Sequence, residues 1–179
     1  MLKLAGEQAD GWVPHCHTPQ TYRKDLEKIR RAAKHVRRGL DEFYPCYCTL
    51  TSVTEKRESA NRNVLGPAKY FLALIPEGLK KVDPTARHPG HVWEKLAHPR
   101  EQREAIRRIA NSIPETAAFD TVIHGTPSDC IEQVVGYQRA GCREMMLTFV
   151  ANGGLWSTES LIPTLRLFSR KVIDYFRGL

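Results

Sequence analysis

Residues 119–150 constrain the fold more than any other stretch, because they follow the pattern of strand, helix and strand in direct succession. Residues 121–123 are a short β-branched run, and Thr126 is a favourable helix N-cap. Gly141 suits the left-handed residue that ends a helix, and residues 145–150 form a second apolar run of strand length. Two strands joined by a helix within about thirty residues are typical of a βαβ unit. The sequence therefore predicts an α/β fold with a parallel sheet.

The same order of elements occurs near the start of the chain. Residues 9–13 predict a short strand, and a helix begins at Thr18-Pro19 as the later helix begins at Thr126-Pro127. Residues 45–54 are rich in β-branched and aromatic residues and predict the strongest strand.

Residues 64–118 contain six prolines. The segment is too long for a plain connection between two elements. We expect an inserted, mostly helical lid there, because such excursions often carry function. The length of 179 residues predicts one domain spanning residues 1–179, with the lid within it.

Positive charge is concentrated in one segment. The net charge is +7, and residues 23–38 hold eight Lys or Arg residues against two acidic ones. Apolar residues recur there at helical spacing, as in a helix with one buried stripe and one solvated face. No nucleic-acid motif or stacking aromatic pair accompanies the charge. We therefore expect a surface helix and no nucleic-acid partner.

Hydropathy and cysteine usage indicate the compartment. No apolar run approaches the roughly 18 residues that span a bilayer, and the N-terminus lacks a signal-peptide pattern. The five cysteines are an odd number, scattered through strand-like or helical segments. Buried free thiols in a reducing cytoplasm explain them, with no membrane partner.

Three segments together resemble the luciferase-like flavin-dependent oxidoreductases. They are residues 2–14 (LKLAGEQADGWVP), 125–142 (GTPSDCIEQVVGYQRAGC) and 145–150 (MMLTFV). The Ala-Asp-Gly-Trp strand and the Gly-Thr-Pro helix start form a fairly specific pair in this order and spacing. The most similar branch uses the deazaflavin coenzyme F420 and includes methylenetetrahydromethanopterin reductases and glucose-6-phosphate dehydrogenases.

This resemblance implies a (β/α)8 TIM barrel, of which the chain is the C-terminal part. Residues 9–13, 46–53 and 145–150 match strands six, seven and eight, and residues 121–123 match an accessory strand. Such barrels typically need about 200–250 residues or more, which agrees with a partial barrel. In the family, proton donors and ring contacts lie mostly on the first strands, so the catalytic residues are unknown for this chain.

Active sites of such barrels lie at the carboxyl ends of the strands. The resemblance implies that the substrate or cofactor pocket is lined by His15, Cys16, His17, Thr18, Phe149 and Asn152. In the sugar-phosphate dehydrogenases of the family, the loop after strand six holds substrate phosphate. Here no lysine follows Thr18 until Lys24, and Asp120 stands where those enzymes have an arginine. Both departures argue against a sugar-phosphate substrate.

Two smaller patterns have competing interpretations. Gly125 and Thr126 open a helix, where backbone N–H groups can bind an anion or Thr126 can simply cap the helix. His15-Cys16-His17 suggests a metal, but structural zinc uses four ligands at wider spacing, so we expect none.

Three function classes follow. The leading hypothesis is an oxidoreductase that transfers hydride between F420 or FMN and a small organic substrate. The second is a non-catalytic remnant or a cofactor- or partner-binding subunit, and the third is a basic polyanion-binding module. Because three or four strands cannot close a barrel, we expect an insoluble, molten or homo-oligomeric chain, or one that needs a complementing N-terminal half-barrel.

Overall fold

The computed structural model describes residues 1–82, 100–151 and 158–178 of the chain. The helices are α1 (Leu2–Gln8), α2 (Pro19–His35), α3 (Arg57–Leu74), α4 (Pro76–Val82), α5 (Arg100–Ser112), α6 (Glu115–Phe119), α7 (Pro127–Arg139), α8 (Thr158–Phe168) and α9 (Asp174–Arg177), with a π-helical segment, Ser169–Ile173, between the last two. The strands are β1 (Gly11–Trp12), β2 (Tyr44–Val53), β3 (Ile123–Gly125) and β4 (Glu144–Phe149). The predicted α/β class is confirmed.

Strand β2 is the centre of a four-stranded, fully parallel sheet. It pairs with β4 along residues 46–51, with β1 at its first two residues and with β3 at its last three. The amides of Tyr44 and Thr54 donate to the carbonyls of Asp10 and Gly125, at 2.9 and 3.1 Å. The backbone N–H groups of alternate residues in a strand point to the same edge of the sheet. Tyr44 and Thr54 are an even number of residues apart, so β1 and β3 both lie along the edge of β2 opposite β4. The βαβ unit predicted from residues 119–150 is therefore confirmed, with β2 between its two strands.

The two faces of β2 bury two separate cores. Tyr47 packs with residues of α2, α7 and the C-terminal helices, and we call this side the α2 face. Leu50 packs with residues of α3, α5 and α6, and we call this side the α3 face. Residues paired across parallel strands share a face, so Met146 and Thr148 of β4 lie on the α3 face. Met146 is 57% exposed there, so the α3 face is open at β4.

The Thr-Pro helix starts form as predicted. The Oγ1 atoms of Thr18 and Thr126 accept from the amides of Thr21 and Asp129, at 3.2 and 3.4 Å. Gly141 follows α7 with a φ of +98°, a conformation that favours glycine. These local signals come from residues adjacent in sequence, which is why they are readable without the fold.

Several predicted boundaries need correction. Strand β1 is shorter than residues 9–13, because Pro14 has no N–H to extend the ladder. Strand β3 begins at Ile123 rather than residue 121, because the Thr121 carbonyl accepts hydrogen bonds from Tyr47 and Thr49 side chains.

Where the structure describes residues 64–118, they consist mostly of helices α3 to α6. The first of these helices, however, begins at Arg57 and packs on β2, so the predicted boundary of the lid at residue 64 falls inside α3. Residues 83–99 of this segment lie outside the described residues. Its role as a lid stays a prediction.

Surface and thiol predictions also have clear outcomes. All five cysteines are buried and free, as expected. Helix α2 buries a stripe that includes Tyr22, Leu26 and Ile29 and turns most of its Lys and Arg side chains to solvent. None of the helices in the described parts of the chain has the length and hydropathy of a membrane span.

Candidate functional site

A cavity of about 290 Å³ lies on the α3 face, between the sheet and helix α3. It lies beside the carboxyl ends of β1 and β4, through His15 and Thr148, and against the middle of β2. Ligands of parallel α/β folds bind at the carboxyl ends of strands. The cavity is lined by His15, Cys48, Thr49, Leu50, Pro67, Tyr70, Phe71, Leu74 and Thr148. Most of this lining is apolar, so the cavity suits an organic group better than a charged one.

His15 brings a titratable ring to this cavity. The ring packs edge-on against Phe71, with centroids 5.3 Å apart. Burial lowers the pKa of His15, and the weaker hydrogen bond with the Cys48 backbone raises it. The Nδ1 atom is buried without a hydrogen-bond partner. His15 is therefore a neutral imidazole at pH 7.

Cys16 reverses the direction of the chain between the two histidines. Its φ is +55°, and its buried side chain lies against Gly78 of α4, where an added Cβ would come within 2.5 Å of the Cys16 Cβ. It lines a void of about 10 Å³. Among the described residues around it, Cys16 thus serves in packing and turning rather than in lining the larger cavity.

His17 points to the other side of the loop. Its Nε2 lies 3.1 Å from Oδ2 of Asp25, and its Nδ1 lies 2.7 Å from the carbonyl oxygen of His15. The other carboxylate oxygen of Asp25 accepts from the Lys28 ammonium at 2.8 Å. The carbonyl of His17 accepts from the hydroxyl of Tyr137 at 2.6 Å. His17 therefore anchors the loop that carries His15 and does not line the cavity.

The Asp25 carboxylate is expected to be important for stability. Asparagine at this position leaves the buried His17 ring without its anionic partner, and removing one member of a buried pair costs about 3 kcal/mol. We expect Asp25→Asn to lower the free energy of unfolding in urea by that amount. Glu27→Gln removes the same charge from the exposed side of α2 and should change it by less than about 0.5 kcal/mol. Equal effects of the two substitutions would contradict this role.

The remaining predicted pocket residues lie elsewhere. Thr18 caps α2 and lines a separate cleft that also contains His124. Phe149 packs edge-on against Phe168 at 5.1 Å on the α2 face, because its pairing with Thr51 fixes that side. Asn152 lies outside the described residues. Of the predicted pocket residues that the structure describes, only His15 lines this cavity, and the other assignments stay predictions without support from its lining.

The predicted anion site at Gly125 and Thr126 has an internal occupant. The Asp129 carboxylate accepts from the Thr126 amide and hydroxyl, both at 2.8 Å, and is paired with Arg57. Gly125 has a φ of +119°, and a Cβ there would come within 2.5 Å of that carboxylate. This geometry favours the helix-cap interpretation, because an external anion would have to displace Asp129.

The lowered pKa of Asp129 predicts that the free energy of unfolding depends on pH. Its hydrogen bond with Arg57, followed by those with Thr126, lowers its pKa from 3.8 to about 2. A lowered folded-state pKa stabilises the fold above pH about 4, and that contribution is lost as the pH falls towards 2. We expect Asp129→Asn to lower the free energy of unfolding at pH 7 by about 1 kcal/mol, as a lost cap and exposed ion pair do.

Urea titrations at several pH values check this expectation. The difference between the wild type and Asp129→Asn should shrink between pH about 4 and pH about 2. Glu132→Gln, an exposed carboxylate on the same helix, is the matched control. A difference that stays constant throughout the acid range would contradict the assignment.

His124 is a second partly buried histidine, and it does not line the α3-face cavity. Its Nδ1 lies 2.8 Å from Oδ1 of Asn61, and its ring stacks on Phe119 at 4.6 Å. Burial is the main cause that lowers its pKa. Among the described residues, no group of three His, Cys, Asp or Glu side chains has metal-binding geometry.

The sequence did not identify the residues of helix α3 that line the cavity on the side opposite the sheet. Pro67, Tyr70, Phe71 and Leu74 of α3 were assigned only to a proline-punctuated lid. Their spacing of three, four and seven residues is the signal of one helical face. What the sequence does not show is that this face meets β2 rather than another helix.

Comparisons with known proteins agree on one family. A model of the luciferase-like monooxygenases matches residues 1–144. The phthiodiolone/phenolphthiodiolone dimycocerosates ketoreductases of Mycobacterium bovis and Mycobacterium tuberculosis are 24% identical over 196 residues. That alignment covers 100% of this chain and 46% of the relative. The chain therefore spans about half the length of the curated relatives it matches.

Solved structures show the same fold. The coenzyme F420-dependent tetrahydromethanopterin reductase of Methanopyrus kandleri has a TM-score of 0.71 at 20% identity, over 98% of this chain and 48% of that one. An F420-dependent secondary alcohol dehydrogenase, in complex with an F420–acetone adduct, has a TM-score of 0.69 at 16% identity, over 96% and 44%. The predicted partial barrel is confirmed by this likeness.

Proposed function

The chain belongs to the luciferase-like monooxygenase family, and on that basis we propose that it forms one wall of an oxidoreductase active site. The reaction is hydride transfer between F420 or FMN and a small organic substrate with a carbonyl or imine-like group. One observation carries the proposal: the α3-face cavity lies near the strand ends at which barrels of this class place their active sites.

The residues of this chain supply the substrate side of the site. Phe71 and Leu74 give this space apolar walls, Tyr70 lies exposed at its edge, and His15 adds a neutral ring. The described residues that line the cavity include no Lys or Arg, so they fit an uncharged ring or substrate rather than a phosphate-bearing tail. When bound, the flavin or deazaflavin ring supplies the hydride chemistry.

The relatives support both cofactors. The M. kandleri reductase and the secondary alcohol dehydrogenase are F420-dependent, whereas a type II Baeyer–Villiger monooxygenase from Pseudomonas putida, with a TM-score of 0.53, contains FMN. The mycobacterial relatives act as ketoreductases, which agrees with a carbonyl substrate.

The open sheet also implies a protein partner. We propose that residues 1–179 act as one domain, with residues 64–118 as its lid, and that an N-terminal half-barrel or a second copy covers the α3 face at β4. Met146, exposed on that face, would then be covered. The five free thiols favour a reducing compartment, the cytoplasm.

Cofactor titration tests the proposal. We expect purified protein, mixed with a luciferase-like N-terminal half-barrel, to change the fluorescence of F420 or FMN in a saturable way. Met146→Arg, on the open α3 face, should abolish binding, whereas Val36→Arg at the exposed end of α2 should not. Absence of saturable binding of either cofactor would reject the oxidoreductase role and favour the non-catalytic remnant.

A further inference from the structure

We propose that a groove on the α2 face binds a small anionic amphiphile, an alkyl chain whose carboxylate is held by Arg143. The groove lies between helix α7, strand β4 and the C-terminal helices, and we call it the α2-face groove. It is on the opposite face of the sheet from the α3-face cavity. The inference therefore concerns a second ligand site and does not depend on the proposed function.

The α2-face groove has mainly apolar walls. Its largest apolar lining residues are Val134, Met145, Leu147, Phe168, Val172 and Phe176. Met145 and Leu147 are only half-buried, and Ile173, which also lines the groove, is 39% exposed. Pockets that bind organic ligands have mostly apolar linings with a few polar groups. The groove thus offers an alkyl chain an apolar surface, and burial of that chain is favourable.

The volume of the groove sets the size of the ligand. It measures about 290 Å³. A cavity of about 150 Å³ in another protein binds benzene, which has six carbon atoms, so in proportion a chain of roughly ten carbon atoms fits here. Gln138 and Arg143, which also line the groove, are exposed. A polar head group can therefore stay in contact with water while the chain is buried.

Arg143 supplies the charge that selects the head group. Among the described residues that line the groove, it is the one charged side chain. Its amide donates to the Pro45 carbonyl at 2.8 Å, and its Nη1 donates to the Asp41 carbonyl at 3.2 Å. A guanidinium has five N–H donors and binds carboxylates in a bidentate geometry. Arg143 is thus held in position and has further N–H groups for a ligand.

The chain does not provide Arg143 with a counterion. Among the described residues, no carboxylate forms an ion pair with it, although Asp41 and Glu42 line a neighbouring cleft. Glu144 precedes Met145 in β4, and successive residues of a strand point to opposite faces, so its side chain points away from the groove. An anionic ligand therefore complements the groove better than a cationic one.

The wall formed by the C-terminal helices has an uncommon backbone geometry. Ser169–Ile173 form the π-helical segment, and two of these residues, Val172 and Ile173, line the groove. Such segments are rare in proteins and occur frequently at functional sites. This observation is independent of the charge at Arg143 and points to the same groove.

Ligand-observed NMR with the full chain tests the inference. Three eight-carbon probes, octanoate, 1-octanol and octylamine, share an alkyl chain and differ in the head group. We expect saturable binding of octanoate, roughly fivefold weaker binding of 1-octanol, as loss of one exposed ion pair implies, and still weaker binding of octylamine. About 1 M salt should reduce the preference for octanoate by screening the ion pair. Equal or tighter binding of 1-octanol or octylamine would overturn the proposal.

Variants assign the ligand to the groove. Arg143→Gln should weaken octanoate binding roughly fivefold without affecting 1-octanol. Arg107→Gln removes the same charge from the exposed side of α5 and should change neither affinity. Ile173→Trp, at a partly exposed position, should block both ligands by filling the groove. Circular dichroism checks that each variant keeps its helices, and unchanged octanoate binding in folded Arg143→Gln would overturn the proposed contact.

Two further measurements separate this site from other surfaces. Met146→Arg changes the α3 face, where it should abolish cofactor binding, and it should leave octanoate binding unchanged. Loss of octanoate binding in Met146→Arg would overturn the groove as the site. Adsorption of the chain to anionic lipid vesicles without any binding of octanoate would indicate a membrane surface instead and would also overturn it.

Discussion

Tyr47→Ala is expected to lower the free energy of unfolding by about 5 kcal/mol, a loss comparable to the whole stability of a marginal domain. Tyr47 is fully buried in the middle of β2, and its ring stacks on Tyr137 with centroids 4.3 Å apart. A cavity of aromatic size in a packed core accounts for about 4 kcal/mol, and the lost hydrogen bonds add about 1 kcal/mol.

The Tyr47 hydroxyl joins three parts of the chain. It donates to the Thr121 carbonyl at 2.7 Å and accepts from the His17 amide at 3.2 Å. Burial raises the pKa of Tyr47, so the hydroxyl keeps its proton. Tyr47→Phe should cost about 1–3 kcal/mol, because these backbone groups lose a partner while the ring packing remains.

Urea unfolding of four proteins separates packing from hydrogen bonding. The expected order of stability is wild type, Tyr47→Phe and Tyr47→Ala, while Tyr44→Ala, at the exposed start of the same strand, should resemble the wild type. A loss of less than about 2 kcal/mol in Tyr47→Ala would contradict the central place of β2.

The second large expected effect is a change in the association state of the chain when an N-terminal half-barrel is added. Parallel sheets are covered on both faces, yet Met146 of β4 is 57% exposed on the α3 face. The chain matches 48% of the M. kandleri reductase, so about half of that fold has no counterpart in residues 1–179. We expect this chain alone to self-associate and to form a 1:1 complex with a luciferase-like N-terminal half-barrel.

Size-exclusion chromatography with light scattering measures this change directly. The chain alone should elute as an oligomer or as aggregates, and addition of the half-barrel should shift the mass to that of one copy of each. An unrelated parallel α/β domain serves as the control partner. A monomeric chain that unfolds cooperatively and ignores the half-barrel would rule out the expected association.

Local sequence signals predicted the elements well. The helix starts at Thr18 and Thr126 and the turn at Gly141 depend on neighbouring residues, so their chemistry is visible in the sequence. The central strand was evident from its β-branched and aromatic composition.

Side-chain direction was harder to predict. His15 and His17 are two residues apart and were assigned to the same pocket, but the positive φ of Cys16 between them sends them to opposite sides. A positive φ is uncommon for a residue other than glycine, so residue types alone do not predict one at Cys16. Phe149 lies on the α2 face, a placement that only the strand register reveals.

The part of the cavity that helix α3 lines depends on tertiary contacts. The face of α3 that carries Phe71 and Leu74 is apolar in any packing, and its partner is set by the path of the chain after β2. Likewise, the contact between His17 Nε2 and the Asp25 carboxylate joins a loop to a helical residue eight positions later. Sequence patterns do not show that these two side chains meet.

Thiol labelling tests most directly whether the α3 face is the inner wall of a luciferase-like barrel. Met146→Cys should react with maleimide in the chain alone and at least roughly tenfold more slowly after the N-terminal half-barrel is added, as for burial of an exposed thiol. Val36→Cys, at the exposed end of α2, should react equally in both states, with the wild type giving the background of the native thiols. Unchanged labelling of Met146→Cys in a verified complex would show that the α3 face is not the inner wall.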